Sequence, residues 1–408
     1  MSVLFVKITL SLILLALTGL VIKYQNSINT LTEGKEVQYF LSASLVLRII
    51  PFIIIFIFLN VSPHSDVIMF MNWAVSAKSG HLVYRDFDSP YAPLFSYITA
   101  LPLWLWDSDK AIIALMIVVE LVVLWCTCLF YRSTVKFHVV LIYLLLPISF
   151  VLTVLGGQED IWMWGIALLA LWVNRKYKND FILGIALAMG LVFTKVLFVL
   201  VIPAVFIFVK DRVKLVAGLL TIGIPVLGIL IWKSGFAFLL PIQQANDPRT
   251  PNFWTILNPF FSSIVHLGSK PLNWIGLISI PISTCLVALK FRDKIDFQDF
   301  FPRLWVFTYA WMMISQQSSL ANYAFIYAIT LVYTANLFND KKSIIIFFIF
   351  NFAIIVQPAI WWNIGMPLFS HPSDLASTLP FFEYILEIVI VSCLVYYLRK
   401  MVKSPVLS

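Results

Sequence analysis

Acidic, aromatic and proline residues gather just after a long apolar run, and these residue types suit acid–base chemistry. Asp66 follows the apolar residues 41–60. A carboxylate held just outside an apolar helix can take a proton from a substrate hydroxyl, so we predict that Asp66 is a catalytic base. A helix N-cap is the structural alternative for Asp66 or Ser65, and it is compatible with the first role. The other candidate substrate contacts of this segment are His64, Tyr84, Arg85, Asp86, Asp88 and Tyr91.

A second candidate is a lysine inside an apolar run. Residues 182–209 are apolar apart from Thr194-Lys195, and Pro203 follows. A charge within a membrane span is costly and is by default a functional hypothesis, and helices break in membranes where they line a cavity. We therefore predict two half-helices, with Lys195 binding a phosphate at the break. The alternative is a lysine that extends to the headgroups.

Two further sets of polar residues have sequence patterns that are less specific for one function. Gln158, Glu159 and Asp160 follow two glycines, and they could bind a metal, orient an acceptor or only solvate a turn. In residues 233–270, amides and aromatics suit sugar hydroxyls and ring faces, and Arg249 suits a phosphate. The candidate sugar contacts there are Gln243, Gln244 and Trp254.

The composition of the chain indicates the fold class that must position these residues. The chain has 408 residues, of which 61% are hydrophobic and 12% charged. Continuous apolar runs of helix-spanning length predict an all-α, polytopic membrane protein with about eleven full spans plus the two half-helices. The predicted spans cover residues 3–22, 41–60, 110–131, 138–155, 161–173, 213–233, 271–289, 300–316, 321–337, 343–360 and 381–399. Within one of them, we predict that Glu120 is a neutral, hydrogen-bonded acid rather than part of a proton relay.

Basic residues set the orientation. Lys and Arg concentrate in alternate short turns, which places those turns inside and residues 61–109 outside. The net charge of +8 thus reflects membrane topology, and nucleic acid is not an expected partner. Alternation also requires residues 91–106 to lie along the outer interface as an interfacial helix. An uncleaved first helix is favoured over a signal peptide for residues 1–22.

The expected organisation is a single integral-membrane domain over residues 1–408. Its parts are N-terminal helices 1–60, a first outer catalytic loop 61–109, a core 110–232, an outer substrate loop 233–270 and C-terminal helices 271–408. The four cysteines fall inside apolar helices and are expected to act as small buried hydrophobes.

Several short motifs occur in a consistent order within residues 41–230. They are Ser65-Asp66, Trp73, Gly80, Tyr84-Arg85-Asp86, Ser89–Leu94, Gly157–Asp160, Gly184, Gly190 and Thr194-Lys195. Their order resembles the GT-C superfamily of integral-membrane glycosyltransferases, which use polyprenyl-phosphate sugars. It is most similar to the bacterial mannosyltransferase-type members.

The resemblance implies a function for the candidate residues. Asp66 would be the catalytic base, Lys195 would contact the donor phosphate, and residues 91–106 would lie beside the donor's lipid tail. Many relatives have two acidic residues close together in the first outer loop, whereas His64-Ser65-Asp66 supplies one. This departure leaves open whether a divalent metal assists the reaction and whether Asp86 or Asp88 takes part in catalysis beside Asp66.

The expected function is inverting transfer of a mannose-like hexose at the outer face of the plasma (inner) membrane. The donor would be a polyprenyl-phosphate sugar and the acceptor a hydroxyl of a glycan, lipid or protein. No nucleotide cofactor is required. A flippase or transporter of lipid-linked sugar, a glycan polymerase or ligase, and a non-catalytic scaffold are the alternatives.

Overall fold

The chain forms an all-helical membrane bundle. The computed structural model describes residues 3–133, 135–239, 247–334 and 337–403. These residues contain no β-strand, only an isolated bridge between Val83 and Phe87. The predicted all-α class is confirmed. Buried side chains from Leu14 to Met401 belong to one continuous hydrophobic cluster.

The first half of the chain contains the helices that carry the candidate site. They are α1 (Val3–Lys23), α2 (Gln25–Thr32), α3 (Glu36–Phe58), α4 (Val67–Lys78), α5 (Phe95–Ala100), α6 (Asp109–Phe130), α7 (His138–Leu145), α8 (Pro147–Leu155), α9 (Ile161–Tyr177), α10 (Asp180–Phe193) and α11 (Val196–Phe208).

The second half completes the bundle. Its helices are α12 (Arg212–Ser234), α13 (Phe253–Phe261), α14 (Lys270–Phe291), α15 (Phe297–Ser315), α16 (Phe325–Thr334), α17 (Lys341–Asn363) and α18 (Thr378–Lys403).

Side-chain caps fix where several of these helices begin. Ser108 accepts a hydrogen bond from the Lys110 amide at the start of α6, and Asp340 accepts one from the Ser343 amide at the start of α17. Such caps satisfy amides that have no partner within the helix. The bend of 60° between α7 and α8 occurs at Pro147, which has no amide hydrogen to donate.

The number of spans differs from the prediction. In the described residues, seven helices are long and apolar enough to cross a membrane, or eight if the bent pair α7–α8 is one span. The prediction of about eleven full spans is therefore wrong by this measure. Three predicted spans fail it: 161–173, 300–316 and 321–337 correspond to α9, α15 and a short 3-10 turn followed by α16.

Burial accounts for two of these three helices, α15 and α16. All ten residues of α16 are buried, and most of α15 is buried as well. A helix surrounded by other helices is apolar because it contacts protein, and it does not need the length that lipid contact demands. Hydropathy alone therefore counted core helices as spans. The predicted half-helices are confirmed as α10 and α11, separated at Thr194-Lys195.

A fully buried ion pair joins the N-terminal helices. Arg48 Nε lies 2.6 Å from Glu120 Oε2, and its NH2 group donates to Glu120 Oε1 at 3.1 Å. Both side chains are 0% exposed. Arg48 also donates to Ser149 Oγ and to the Leu144 carbonyl at the α7–α8 bend. Glu120 is thus hydrogen-bonded to neighbouring helices, as predicted, but its main partner is the guanidinium group of Arg48, which the sequence did not indicate.

The bundle has two chemically different ends. At one end, Gln298 at the start of α15 donates to Asn174 in α9, and Lys290 of α14 donates to the Val402 carbonyl of α18. The loops before α4 and α9 meet at the other end, where Gln158 donates to Asp66. The acidic candidate residues and the basic turns thus lie at opposite ends.

Breaking the Arg48–Glu120 pair should destabilise the protein. Arg48→Met leaves a buried carboxylate without its counter-charge, which costs about 3–5 kcal/mol of unfolding free energy. The double variant Arg48→Met/Glu120→Met removes both charges and should recover most of that loss. Thermal unfolding in detergent micelles measures both. A double variant that loses more stability than Arg48→Met alone would contradict this account.

Candidate active site

Asp66 stands at the beginning of α4 with its carboxylate directed away from the helix. It holds the N-cap position, yet its side chain makes no capping hydrogen bond. Asp66 Oδ2 instead accepts from Gln158 Nε2 at 2.9 Å. The preceding Ser65 has a φ of 65°, a left-handed conformation that is uncommon for residues other than glycine. The carboxylate is therefore held by a side chain from another loop, and the capping alternative is not observed.

Gly157 brings Gln158 to Asp66. It has a φ of 57°, and a Cβ on it would lie 2.5 Å from Val67 Cγ2 in α4. Only glycine adopts this backbone without strain and allows so close an approach. The turn after α8 can therefore pack against the first residue of α4, next to Asp66.

Lys195 forms ion pairs with both carboxylates that follow Gln158. Its Nζ lies 2.6 Å from Glu159 Oε1 and 2.6 Å from Asp160 Oδ1. The side chains of Lys195, Glu159 and Asp160 are 12%, 3% and 0% exposed. Lys195 thus does not extend to the headgroups. It lies at the centre of an acidic cluster.

The break between α10 and α11 is fixed by the first outer loop. The amides of Ala92 and Leu94 donate to the carbonyls of Thr194 and Val192, at 3.3 and 3.1 Å. These bonds satisfy carbonyls at the end of α10 that lack partners within the helix. Below the break, a Cβ on Gly190 would lie 2.6 Å from the Phe198 ring, so the chain can fold back closely there.

Aromatic rings enclose the lysine. Lys195 Nζ lies 5.1 Å from the centre of the Tyr91 ring and 5.5 Å from that of Tyr323. The neighbouring Asn322 donates to Gln158 Oε1 at 3.1 Å. Asn322 and Tyr323 belong to the C-terminal half, and sequence reasoning did not include them among the site residues. An Asn-Tyr pair in a polar segment after a buried helix was the only local signal.

Burial shifts the acid–base properties of the cluster. Burial, with the nearby charge of Asp160 adding to it, raises the pKa of Glu159 to about 7, although Lys195 opposes the shift. Burial also raises the pKa of Asp160. Two buried carboxyl groups thus face one ammonium group, and burial favours the protonated form of these carboxyl groups.

The cluster leaves acceptor oxygens without donors. Glu159 Oε2 and Asp160 Oδ2 are buried and accept no hydrogen bond from the described residues. Buried acceptors of this kind are rare and mark a place for water or a ligand. In the described parts of the chain, no group of three or more His, Cys, Asp and Glu side chains is arranged to hold a metal ion.

An apolar groove lies next to the segments that carry the cluster. Its volume is about 390 Å³, and α5, α6, α9 and α10 line it. Val122, which is 55% exposed, lies on its open side. Trp162 and Thr194 also line it, and they are close in sequence to Asp160 and Lys195. The groove is thus apolar and borders the segments that carry Asp160 and Lys195.

The structure thus brings together Asp66, Tyr91, Gln158, Glu159, Asp160 and Lys195 from three separate segments. Tyr84 is attached to this group, since its hydroxyl donates to the Tyr91 carbonyl, but its ring is buried. Residues 91–106 contain only the short helix α5 and a 3-10 turn, Leu101–Trp104. Trp104 in that turn is 69% exposed.

Four predicted contacts lie on the exposed part of the loop. Arg85 and Asp86 pair with each other at 2.8 Å, and Asp86 also accepts from the Leu82 amide. The hydrogen bond from Arg85 lowers the pKa of Asp86 to about 2. His64 and Asp88 are exposed as well. The structure gives these four residues no contact with Lys195 or with the carboxylates that pair with it.

The described residues 247–270 of the predicted outer substrate loop, called the second outer loop below, lie beside the segment that follows α15. The Arg249 amide donates to the Gln317 carbonyl, and Trp254 Nε1 donates to the Ser315 carbonyl. The Arg249 side chain forms no ion pair with any described residue. Gln243 and Gln244 lie outside the described residues.

A second buried acidic pair was not predicted. Glu383 and Glu387 are one turn apart in α18 and are 0% and 2% exposed. Gln357 Nε2 donates to Glu383 Oε1 at 2.6 Å, and Thr255 Oγ1 donates to Glu387 Oε2 at 2.6 Å. Their spacing was visible in the sequence, but their burial beneath α13 was not. They attach the second outer loop to the C-terminal helices.

Comparison of the chain with protein-family models, characterised proteins and solved structures finds no match.

Gly157→Ala should disturb the Gln158–Asp66 contact. The added Cβ meets Val67, and the left-handed backbone costs about 1–2 kcal/mol for an alanine. Gly223→Ala in α12 is the matched control, because no atom lies within 4 Å of its Cβ position. In thermal unfolding, Gly157→Ala should melt at a lower temperature than Gly223→Ala. Equal melting temperatures of the two variants would show that the close approach of Gly157 to Val67 does not matter for stability.

Glu159 should make stability depend on pH. Its pKa rises on folding from an ordinary value of 4.5 to about 7, so the folded protein binds an additional proton between these values. The unfolding free energy should therefore fall as pH rises from about 4.5 to 7, by up to about 1.4 kcal/mol per pH unit. Glu159→Gln should remove this slope, and Glu33→Gln, at an exposed carboxyl, should retain it. Urea unfolding at several pH values tests both variants, and an unchanged slope in Glu159→Gln would contradict the assignment.

Proposed function

We propose that this protein is a membrane glycosyltransferase that moves a hexose from a polyprenyl-phosphate donor to an acceptor hydroxyl. The observation that carries the proposal is the convergence of Asp66, Gln158 and the Glu159–Asp160–Lys195 cluster beside an apolar groove. A base, a buried cation and a channel for an apolar chain are the components that such a transfer needs. The order of motifs resembling the GT-C superfamily supports the same reaction class.

Asp66 acts as the base. Its carboxylate is partly exposed, and one of its oxygens accepts a hydrogen bond from Gln158, which fixes its direction. The acceptor O–H transfers its proton to Asp66 while the oxygen forms a bond to the anomeric carbon. The bond from that carbon to the phosphate oxygen breaks at the same time, and polyprenyl phosphate leaves with the electron pair. Attack from the face opposite the leaving group inverts the anomeric configuration.

Lys195 supplies positive charge for the departing phosphate. It is the cation of the cluster, and Glu159 and Asp160 hold its ammonium group in place. A fixed charge in a dry site stabilises a developing negative charge more than a mobile charge in water does. Protonation of Glu159 would leave part of the Lys195 charge available to a phosphate oxygen.

The apolar groove accommodates the donor's isoprenoid chain. A volume of about 390 Å³ falls within the range of small-molecule sites. Thr194 lines the groove and directly precedes Lys195, so a chain bound in the groove would end close to Lys195. The basic turns at the opposite end of the bundle support an extracytoplasmic location for this chemistry in the plasma membrane.

Asp66→Asn should abolish sugar transfer. The amide cannot accept the proton, and loss of a general base lowers the rate by about 10²–10⁴-fold. The assay incubates purified protein with labelled polyprenyl-phosphate hexoses and an acceptor extract, and it measures the released polyprenyl phosphate. Melting temperature and insertion should match the unchanged protein.

Asp107→Asn is the matched control. Asp107 is an exposed carboxylate of the same outer segment, and its partner is Lys78 at the surface. The Asp107→Asn protein should retain full sugar transfer. Full activity of a folded Asp66→Asn protein would remove Asp66 as the base. Transport of the lipid-linked sugar without release of polyprenyl phosphate would support a flippase instead.

A further inference from the structure

A basic cleft lies at the end of the bundle opposite the acidic cluster. Its volume is about 420 Å³, and it lies between the first turn of α17 and the last turns of α18. The side chains that line it are Lys342, Tyr396, Arg399, Lys400 and Lys403. The proposed transfer reaction makes no use of it.

One wall of the cleft is held by a hydrogen-bond network. Lys400 Nζ donates to Ser343 Oγ at 2.8 Å and lies 3.6 Å from Asp340 Oδ2. Ser343 Oγ is also 2.6 Å from the Tyr396 hydroxyl. Lys400 is therefore fixed against α17, and the cleft is more than a row of mobile surface lysines.

The remaining cations are not neutralised. Lys342, Arg399 and Lys403 form no ion pair within the described residues, and Asp340 is bound to Lys400 and Ser343. Four cations and one carboxylate give the cleft a net charge of about +3. Favourable interaction with the C-terminal dipole of α18 accounts for part of this cluster. It does not account for Lys342, which lies in the first turn of α17.

An exposed apolar stripe continues from the cleft along α17. Ile345 and Ile349 are 58% and 45% exposed, three and seven residues after Lys342. Residues at this spacing lie on one face of a helix, and Ile349 is about 10 Å further along the axis than Lys342. A positive group followed by an apolar stripe matches the polarity of a phospholipid, from headgroup to acyl chain.

We propose that this cleft binds the headgroup of an anionic phospholipid in the leaflet next to the basic turns, with an acyl chain along Ile345 and Ile349. Basic pockets between membrane helices bind such headgroups on the cytoplasmic side. A soluble phosphate could meet the same cations, but it would gain nothing from the apolar stripe. The stripe therefore favours the lipid over a free anion.

Lipid retention tests the proposal. The protein is purified in detergent with phosphatidylglycerol or with phosphatidylcholine, and bound lipid is counted by native mass spectrometry. The triple variant Lys342→Gln/Arg399→Gln/Lys403→Gln should lose on the order of 100-fold in phosphatidylglycerol affinity. Phosphatidylcholine, which has no net charge, should bind weakly to both proteins.

The matched control removes the same charge from the same end of the bundle. Lys176→Gln/Lys178→Gln/Lys210→Gln alters three exposed lysines outside the cleft, and it should retain phosphatidylglycerol. If the cleft variant fails to fold, Lys342→Gln alone, at an exposed position, should still weaken binding about fivefold. Equal loss in the control triple, or retention by the cleft variant, would overturn the proposal. Displacement of the lipid by millimolar inorganic phosphate would assign the cleft to a soluble anion instead.

Discussion

The contact of Lys195 with Glu159 and Asp160 is the interaction on which the rest of the candidate site depends. An ammonium group in a protein-lined interior needs opposite charge nearby, and two carboxylates supply it. The same contact ties the break between α10 and α11 to the start of α9. The Gly157 turn then brings Gln158 to Asp66, and the first outer loop bonds to the end of α10. Three segments are thus arranged around one cation.

The Arg48–Glu120 pair obeys the same electrostatics but has a different character. Arg48 is bound to a carboxylate, a hydroxyl and two backbone carbonyls, and Glu120 also accepts from Tyr143. That network holds α3, α6 and the α7–α8 bend together. The cluster around Lys195 differs because two buried carboxylate oxygens have no donor among the described residues. A satisfied buried pair indicates a structural role, whereas an incompletely satisfied one beside a groove indicates a site.

The distribution of charge gives the bundle two specialised ends. Carboxylates, amides and aromatic rings gather at one end, next to an apolar groove. Cations gather at the other end, where they form a cleft above an apolar stripe. This asymmetry follows from where α9, α10, α17 and α18 begin and end.

The sequence by itself determined the helical membrane class, the broken helix at Thr194-Lys195 and most of the residues that meet there. Hydropathy, charge placement and glycine turns are local properties of the sequence, and they can be identified without knowing how the helices pack. Tertiary structure alone decided that α15 and α16 are core helices, because apolar side chains look alike whether they face lipid or protein. It alone paired Arg48 with Glu120, 72 residues apart, and Asn322 with Gln158, 164 residues apart. Helix packing decides which of these residues become partners, and no local sequence pattern encodes a contact between residues so far apart in the chain.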